Sequence, residues 1–321
     1  MLANNMFIIL NNRPDRLGSN LTWYIMQIVY AHHNGYFVHY HGSPHDSSIF
    51  VQAMVEYIDK YNYALGEKLG NHDHLYTEYF IEDSDQDWPG NNMKVCHTIQ
   101  CDLLSYFKKH IYPDFSNILF EMIRESTQIF DSLSVVPFKK TIAVHLRLDD
   151  VVNRVPYNGL YSTMYYRERL ERGEIGIDLE NERIFFENRG IQIPGWGREY
   201  NPYDCQAPIS EDLVTHYINM AREKYPTHEV VIVTSPLSTT TLPYHVIQSS
   251  NTDTVIQSSN ADTDLLILAK ADVLICSKSL FCFTSVYFSE ATEIFIPMWG
   301  HIAGTGLTSQ YDHTDNTTYL Y

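Results

Sequence analysis

Residues 262–281 read DTDLLILAKADVLICSKSLF. Apolar residues at helical spacing predict a helix from Asp264 to Lys270. Val273 to Cys276 then read as a short buried strand. The Ser277-Lys278-Ser279 turn follows, with Ser279 as a natural N-cap for a helix from Leu280 to Ser289. Ile294 to Ile296 reads as the next strand. A chain that alternates in this way builds a parallel sheet with helices packed on it. The backbone N–H groups at the start of the 280–289 helix lie beside Lys278, a combination suited to holding an anion. The plainer alternative is a capped helix with a solvated lysine.

The same alternation runs upstream. TIAVHLRLDDVV at 141–152 starts as an apolar strand, expected over 141–147, and then delivers His145, Arg147, Asp149 and Asp150 in quick succession. A helix is expected from Glu211 to Tyr225 and a strand from Val230 to Thr234. Ligands of open α/β sheets bind at the carboxyl ends of the strands, where His145, Arg147 and Asp150 would sit. An arginine there can fork two hydrogen bonds onto a phosphate, and an aspartate can orient it or accept a proton. An interdomain ion pair is the competing role for these charges.

The N-terminal part opens in a related way. Met6 to Leu10 reads as a strand and is followed by a polar loop with Pro14. Gly18-Ser19-Asn20 opens a helix with Leu21, Tyr24, Ile25, Ile28 and Val29 on one face. Gly35 stands where a left-handed C-terminal cap is expected, and Tyr36 to Tyr40 forms a second strand. Residues 50–63 and 98–133 are mainly helical by pattern, punctuated by Pro113 and Pro137. A domain boundary is expected near Ser134–Lys140, dividing the chain into residues 1–137 and 138–321.

Two segments break the pattern. VIQSSNTDT at 246–254 is repeated at once as VIQSSNADT at 255–263. So short a tandem copy is no repeat architecture and reads as a duplicated surface loop. IQIPGWGREYNPYDC at 191–205 reads as a long ordered loop in which Trp196, Tyr200 and Tyr203 would suit a sugar face.

Composition narrows the functional classes. The 321 residues include 44% apolar side chains, enough for two ordinary domains with sizeable cores. With 39 acidic against 22 basic residues the formal charge is −17, which argues against nucleic acid or an anionic membrane as partner. An anionic ligand must then be held by a few placed cations and helix N-termini. The cysteines Cys96, Cys101, Cys205, Cys276 and Cys282 are odd in number and contain no CxxC, which suggests free thiols in a reducing compartment. Met1 to Leu10 is too short and too poor in charge for a signal peptide, and no apolar run suffices for a membrane span. A cytoplasmic protein is expected, in which the Asn20-Leu21-Thr22 and Asn316-Thr317-Thr318 glycosylation patterns carry no meaning.

At this point the residues resemble a known family. HLRL at 145–148 is similar to the H-x-R motif of the inverting fucosyltransferase superfamily, which includes the α-1,2, α-1,6 and protein O-fucosyltransferases. VIVTSP at 231–236 resembles that family's strand ending in Thr-Asp, with Ser235 where the acid is usual. AKADVLICSKSLF at 269–281 resembles its Ala-Asp, apolar strand and Ser-Ser-Phe turn. RLGSNL at 16–21 looks like its N-terminal Gly-Asn-Gln loop. The matches come in the family's order over nearly the whole chain. The tyrosine- and aspartate-rich, signal-free make-up is also similar to stand-alone glycosyltransferases of large DNA viruses, which would act in a host cytoplasm.

The resemblance implies a GT-B type α/β protein with two Rossmann-like domains, the C-terminal one binding the nucleotide sugar and the N-terminal one the acceptor. It implies GDP-fucose as donor, a glycan or glycoprotein acceptor, and no metal or other cofactor. Arg147 would hold the β-phosphate and His145 would line the donor site with Thr234 and Ser235. Ser277, Lys278, Ser279, Leu280 and Phe281 would meet the diphosphate, and Asp264 would lie near the nucleoside. Arg16, Gly18, Ser19 and Asn20 would lie near the sugar. Asp150, or else Asp149, would take the acceptor proton. Many members carry a second arginine or a glycine where this chain has Leu148 and Asp149.

Three other functions fit parts of the sequence. Asp83-Ser84-Asp85 is a D-x-D able to hold Mn²⁺ against the diphosphate of another nucleotide sugar. His39, His41, His45 and Asp46, with His72 and His74, have the spacing of metallohydrolase ligands. A non-catalytic binder of sugar nucleotides or glycans on the same fold is the third.

Overall fold

The computed structural model describes residues 7–10, 16–69, 103–125, 140–147, 184, 188, 209, 211–234, 254–257, 260–297 and 317–320. The chain divides into two compact units, Met1–Ser132 and Leu133–Tyr321.

In the first unit, strand β1 (Phe7–Leu10), helix α1 (Leu17–Asn34) and strand β2 (Phe37–Tyr40) form a β-α-β unit. The strands pair in parallel from Phe7↔Phe37 to Leu10↔Tyr40. The expected apolar face of α1 is buried, but Trp23, Met26 and Ala31 are buried as well. The helix is therefore covered over more of its circumference than a single stripe would need. Gly35 adopts φ 67°, the left-handed conformation that a Cβ disfavours. The N–H of Tyr36 donates to the Ala31 carbonyl at 2.9 Å and that of Gly35 to His32 at 3.4 Å, a Schellman closure.

Helices α2 (Ile49–Leu69), α3 (Leu103–His110) and α4 (Tyr112–Glu125) complete the described part of this unit. Within the helical stretch expected over 98–133, the described residues form two helices that meet at Ile111. Pro113 sits in the first turn of α4, where its missing N–H breaks no helical bond. Asn62 of α2 pairs with β2 as another strand would: its Oδ1 accepts the Val38 N–H at 3.0 Å and its Nδ2 donates to the Val38 carbonyl at 2.7 Å.

The second unit holds β3 (Thr141–Leu146), α5 (Glu211–Lys224), β4 (Glu229–Thr234), β5 (Thr254–Gln257), α6 (Ala261–Lys270), β6 (Val273–Ile275), α7 (Leu280–Phe288), β7 (Glu293–Pro297) and β8 (Thr317–Leu320). The sheet runs in the order β5-β4-β3-β6-β7-β8, and every pairing is parallel. Numbered within the unit, that is 3-2-1-4-5-6, the order of the doubly wound dinucleotide-binding sheet. All of β3 is buried, as expected of a central strand covered on both faces. Ile142, Val144, Leu146, Val230, Ile232 and Ile275 form one core with Val214, Tyr217, Ile218 and Ala221 of α5. Helices α6 and α7 pack against each other, and α6 lies against β3 and β4.

The duplicated segment is not simply a loop. Thr254–Gln257, spanning the junction of the two copies, forms edge strand β5, paired with β4 from Val231↔Thr254 to Thr234↔Gln257. Asn260 of the second copy caps α6, its side chain accepting from Asp262 N at 2.9 Å and Thr263 N at 3.3 Å. That cap starts the helix at Ala261, before the apolar periodicity begins. Thr317 and Thr318 of the glycosylation pattern lie on β8, beside β7. Residues 246–253 of the first copy, the aromatic loop at 191–205, Pro137, and Cys96, Cys101 and Cys205 lie outside the described residues.

Candidate functional site

Strands β3 and β6 are neighbours at which the strand order reverses, the place where such a sheet opens a crevice for ligands. Helices α5, α6 and α7 each lead toward a parallel strand of this sheet, so their N-termini stand on its carboxyl edge. The positive ends of the three helix dipoles concentrate positive potential there.

His145 is the penultimate residue of β3, in register with Val233 of β4. Its Nδ1 lies 2.5 Å from the Oγ of Ser277, just past the end of β6. Both residues are buried, 7% and 5% exposed. Cys276 N donates to Phe295 O at 2.8 Å, carrying the pairing with β7 beyond the strand end. The chain then turns: Ser279 N donates to Ser277 O at 2.8 Å, and the Ser279 side chain accepts the Phe281 N–H at 3.2 Å. Ser279 has extended backbone and is the N-cap of α7, as its place before an apolar run predicts. The ring of Phe281 packs 5.6 Å from that of His145.

Charged groups converge on this edge. Lys278 is only 3% exposed. Arg147 follows β3 directly and is half-buried. Asp262 and Asp264 lie buried in the first turn of α6, where the helix dipole favours carboxylates. Thr234 ends β4 with its hydroxyl buried and without a hydrogen-bond partner among the described residues. Cys276 and Cys282 are free, buried thiols beside the turn. Burial, with Cys282 as neighbour, pushes the Cys276 thiol well above its ordinary range. The combination of capped helix N-terminus, buried lysine and nearby arginine suits a phosphate-bearing ligand.

The second unit therefore gathers His145, Arg147, Thr234, Asp264, Ser277, Lys278, Ser279, Leu280 and Phe281 on one sheet edge or its bordering turns. Asp149, Asp150, Leu148 and Ser235 lie outside the described residues. Asn260 borders the same edge and belongs to none of the sequence motifs at 16–21, 145–148, 231–236 or 269–281. Its signal was an Asn ahead of Asp262 and an apolar run.

In the first unit, Arg16 is exposed and precedes α1, whereas Gly18, Ser19 and Asn20 are buried in its first turn. They are helical, not looped, because the helix begins at Leu17. The Asn20 amide Nδ2 donates to Arg16 O at 3.2 Å, and Thr22 Oγ1 donates to Gly18 O at 3.0 Å. After β2, Asp46 accepts hydrogen bonds from the Tyr40 hydroxyl and from Ser43 N, organising the turn that follows. The His39 and His41 rings meet edge-on at 4.8 Å. Among the described residues no group of three or more His, Cys, Asp or Glu side chains is arranged to hold a metal ion. Asp83, Asp85, His72 and His74 lie outside those residues.

Comparison with protein-family models and with curated proteins finds no match to this chain. Among the described residues no helix is long and apolar enough to cross a membrane.

Proposed function

We propose that the protein is a glycosyltransferase whose second unit binds a nucleotide sugar through its diphosphate. The observation that carries this is the turn at the sheet's reversal point. There the Ser279-capped start of α7, Lys278 and the tethered His145 meet beside the strand that delivers Arg147. The motifs at 145–148 and 269–281 favour GDP-fucose as donor and an inverting displacement without metal. On that basis the two units are the halves of a GT-B enzyme, with the acceptor handled by the first.

The acceptor oxygen forms a bond to the anomeric carbon while the bond from that carbon to the β-phosphate oxygen breaks. The electron pair leaves with GDP. Charge growing on that oxygen is met by Arg147 and the α7 N–H groups, donors already in place before the reaction. The acceptor proton passes to a carboxylate, Asp150 first and Asp149 second, as a general base. No residue of this chain forms a covalent intermediate in such a displacement.

Thermal unfolding with GDP, UDP and CMP, each in EDTA, tests the donor. GDP is expected to stabilise most, by about 2.7 kcal/mol at a hundredfold excess over Kd. A larger shift with UDP would overturn GDP as the donor nucleotide, and a strict Mn²⁺ requirement in a parallel series without EDTA would favour a metal-dependent transferase built around Asp83 and Asp85. GDP binding with no sugar transfer to any acceptor or to water would favour the non-catalytic binder.

A further inference from the structure

We infer that Ser277 is a positioning residue, whose hydroxyl acts on a bound diphosphate through the imidazole of His145 instead of contacting the nucleotide. This rests on the nucleotide-sugar reading of the same site, and it departs from the direct diphosphate contact that the family resemblance implies for Ser277.

The contacts form a closed circuit. Ser277 Oγ meets His145 Nδ1 at 2.5 Å, and the His145 ring packs against Phe281 at 5.6 Å. The Phe281 N–H is held by Ser279 Oγ at 3.2 Å, and Ser279 N returns to Ser277 O at 2.8 Å. The hydrogen bond ties β3 to the turn after β6 across 132 residues of sequence, at the crevice where the strand order reverses. Turning the imidazole over would place a ring carbon against Ser277 Oγ and lose that bond in a buried place, which costs the full desolvation of the hydroxyl. Ser277 thus locks one ring orientation before any ligand arrives, and because its hydroxyl can donate or accept, the bond fixes the direction of the ring and not its tautomer. A ligand that meets a locked imidazole does not have to order it, and affinity rises by that saving.

The test combines calorimetric GDP titrations with ¹⁵N NMR of the His145 ring. Ser277→Ala is expected to weaken GDP binding about tenfold, the value of one hydrogen bond of ordinary strength. Ser277→Thr, which keeps the hydroxyl, is expected to restore the affinity. In a His145→Ala or His145→Asn background, Ser277→Ala is expected to cost nothing further. Without nucleotide, the Nδ1 resonance is expected to carry the shift of a hydrogen-bonded nitrogen in the wild type and to lose it in Ser277→Ala. An equal loss with and without His145 would overturn the inference by making Ser277 a direct ligand. Unchanged GDP affinity with a lowered melting temperature would overturn it by making the bond structural. A wild type that binds no nucleoside diphosphate, with the Nδ1 hydrogen-bond signature intact, would overturn the nucleotide reading itself and with it the role on a ligand.

Discussion

Ser279 Oγ accepts the N–H of Phe281 at 3.2 Å, and so starts α7 at the point where Phe281 covers His145. One serine thereby caps a helix and frames one wall of the candidate site. Replacing it with alanine removes an acceptor from a buried helix start. Ser279→Ala is expected to lower stability by about 1 kcal/mol, with Ser279→Asn or Ser279→Asp closer to wild type. Urea unfolding with an unchanged m-value would check it. A variant as stable as the wild type would mean that the cap contributes nothing.

Asn62 makes a separate prediction for the first unit. Its amide satisfies both backbone groups of Val38, so Asn62→Leu leaves a donor and an acceptor of β2 without those partners. A loss of about 1–3 kcal/mol is expected, and Asn62→Ala should fall in the same range. Hydrogen exchange at the Val38 amide is expected to accelerate in step. Unchanged protection at that amide would contradict the pairing.

The first unit should also weaken in mild acid. His32 is held below the usual imidazole range chiefly by burial, then by His110 and His33, with Asp114 opposing. Its ring also meets Tyr106 OH at 2.9 Å and lies beside Tyr61. A histidine whose folded pKa is depressed binds its proton more readily when unfolded. Stability is therefore full above the unfolded value, about 6.5, and is lost as pH falls below it. His32→Gln is expected to flatten that loss in an unfolding series from pH 7.5 to about 5. A slope of the same size in the variant would assign it to another group.

Cys276 and Cys282 are 2% and 0% exposed, and burial disfavours the reactive thiolate of Cys276. Alkylation of the native protein at neutral pH is expected to leave both unmodified by mass spectrometry, and both should react once the protein is unfolded. Rapid labelling of either in the native state would contradict the packing around the turn.

Much of the second unit was legible in the sequence because its signals are local. The strand and Ser-Lys-Ser turn at 273–279 announce themselves by apolar run and cap residue, and Gly35 does the same for the end of α1. Strand β5 was hidden because the duplicated VIQSSN text invited a loop reading, and four-residue strands carry little periodicity. What decides β5 is its partner β4, some twenty residues earlier in sequence. The His145–Ser277 bond and the Asn62–Val38 bracket were not legible for the same reason: they join residues that sequence spacing does not relate. The motifs at 145 and 277 could be named, but only the sheet order brings them to one crevice.

The central claim is that this crevice holds a diphosphate with help from Arg147. The most direct measurement is a calorimetric titration of GDP, in EDTA, into the wild type and into Arg147→Ala. The wild type is expected to bind. The variant is expected to keep the wild-type melting temperature and to lose roughly ten- to a hundredfold in affinity, the value of hydrogen bonds to a charged group. Arg147→Lys should recover little of it, since an ammonium cannot reproduce the fork of the guanidinium. An Arg147→Ala protein that melts earlier yet binds GDP as tightly as the wild type would contradict the claim and make the arginine a structural ion-pair partner.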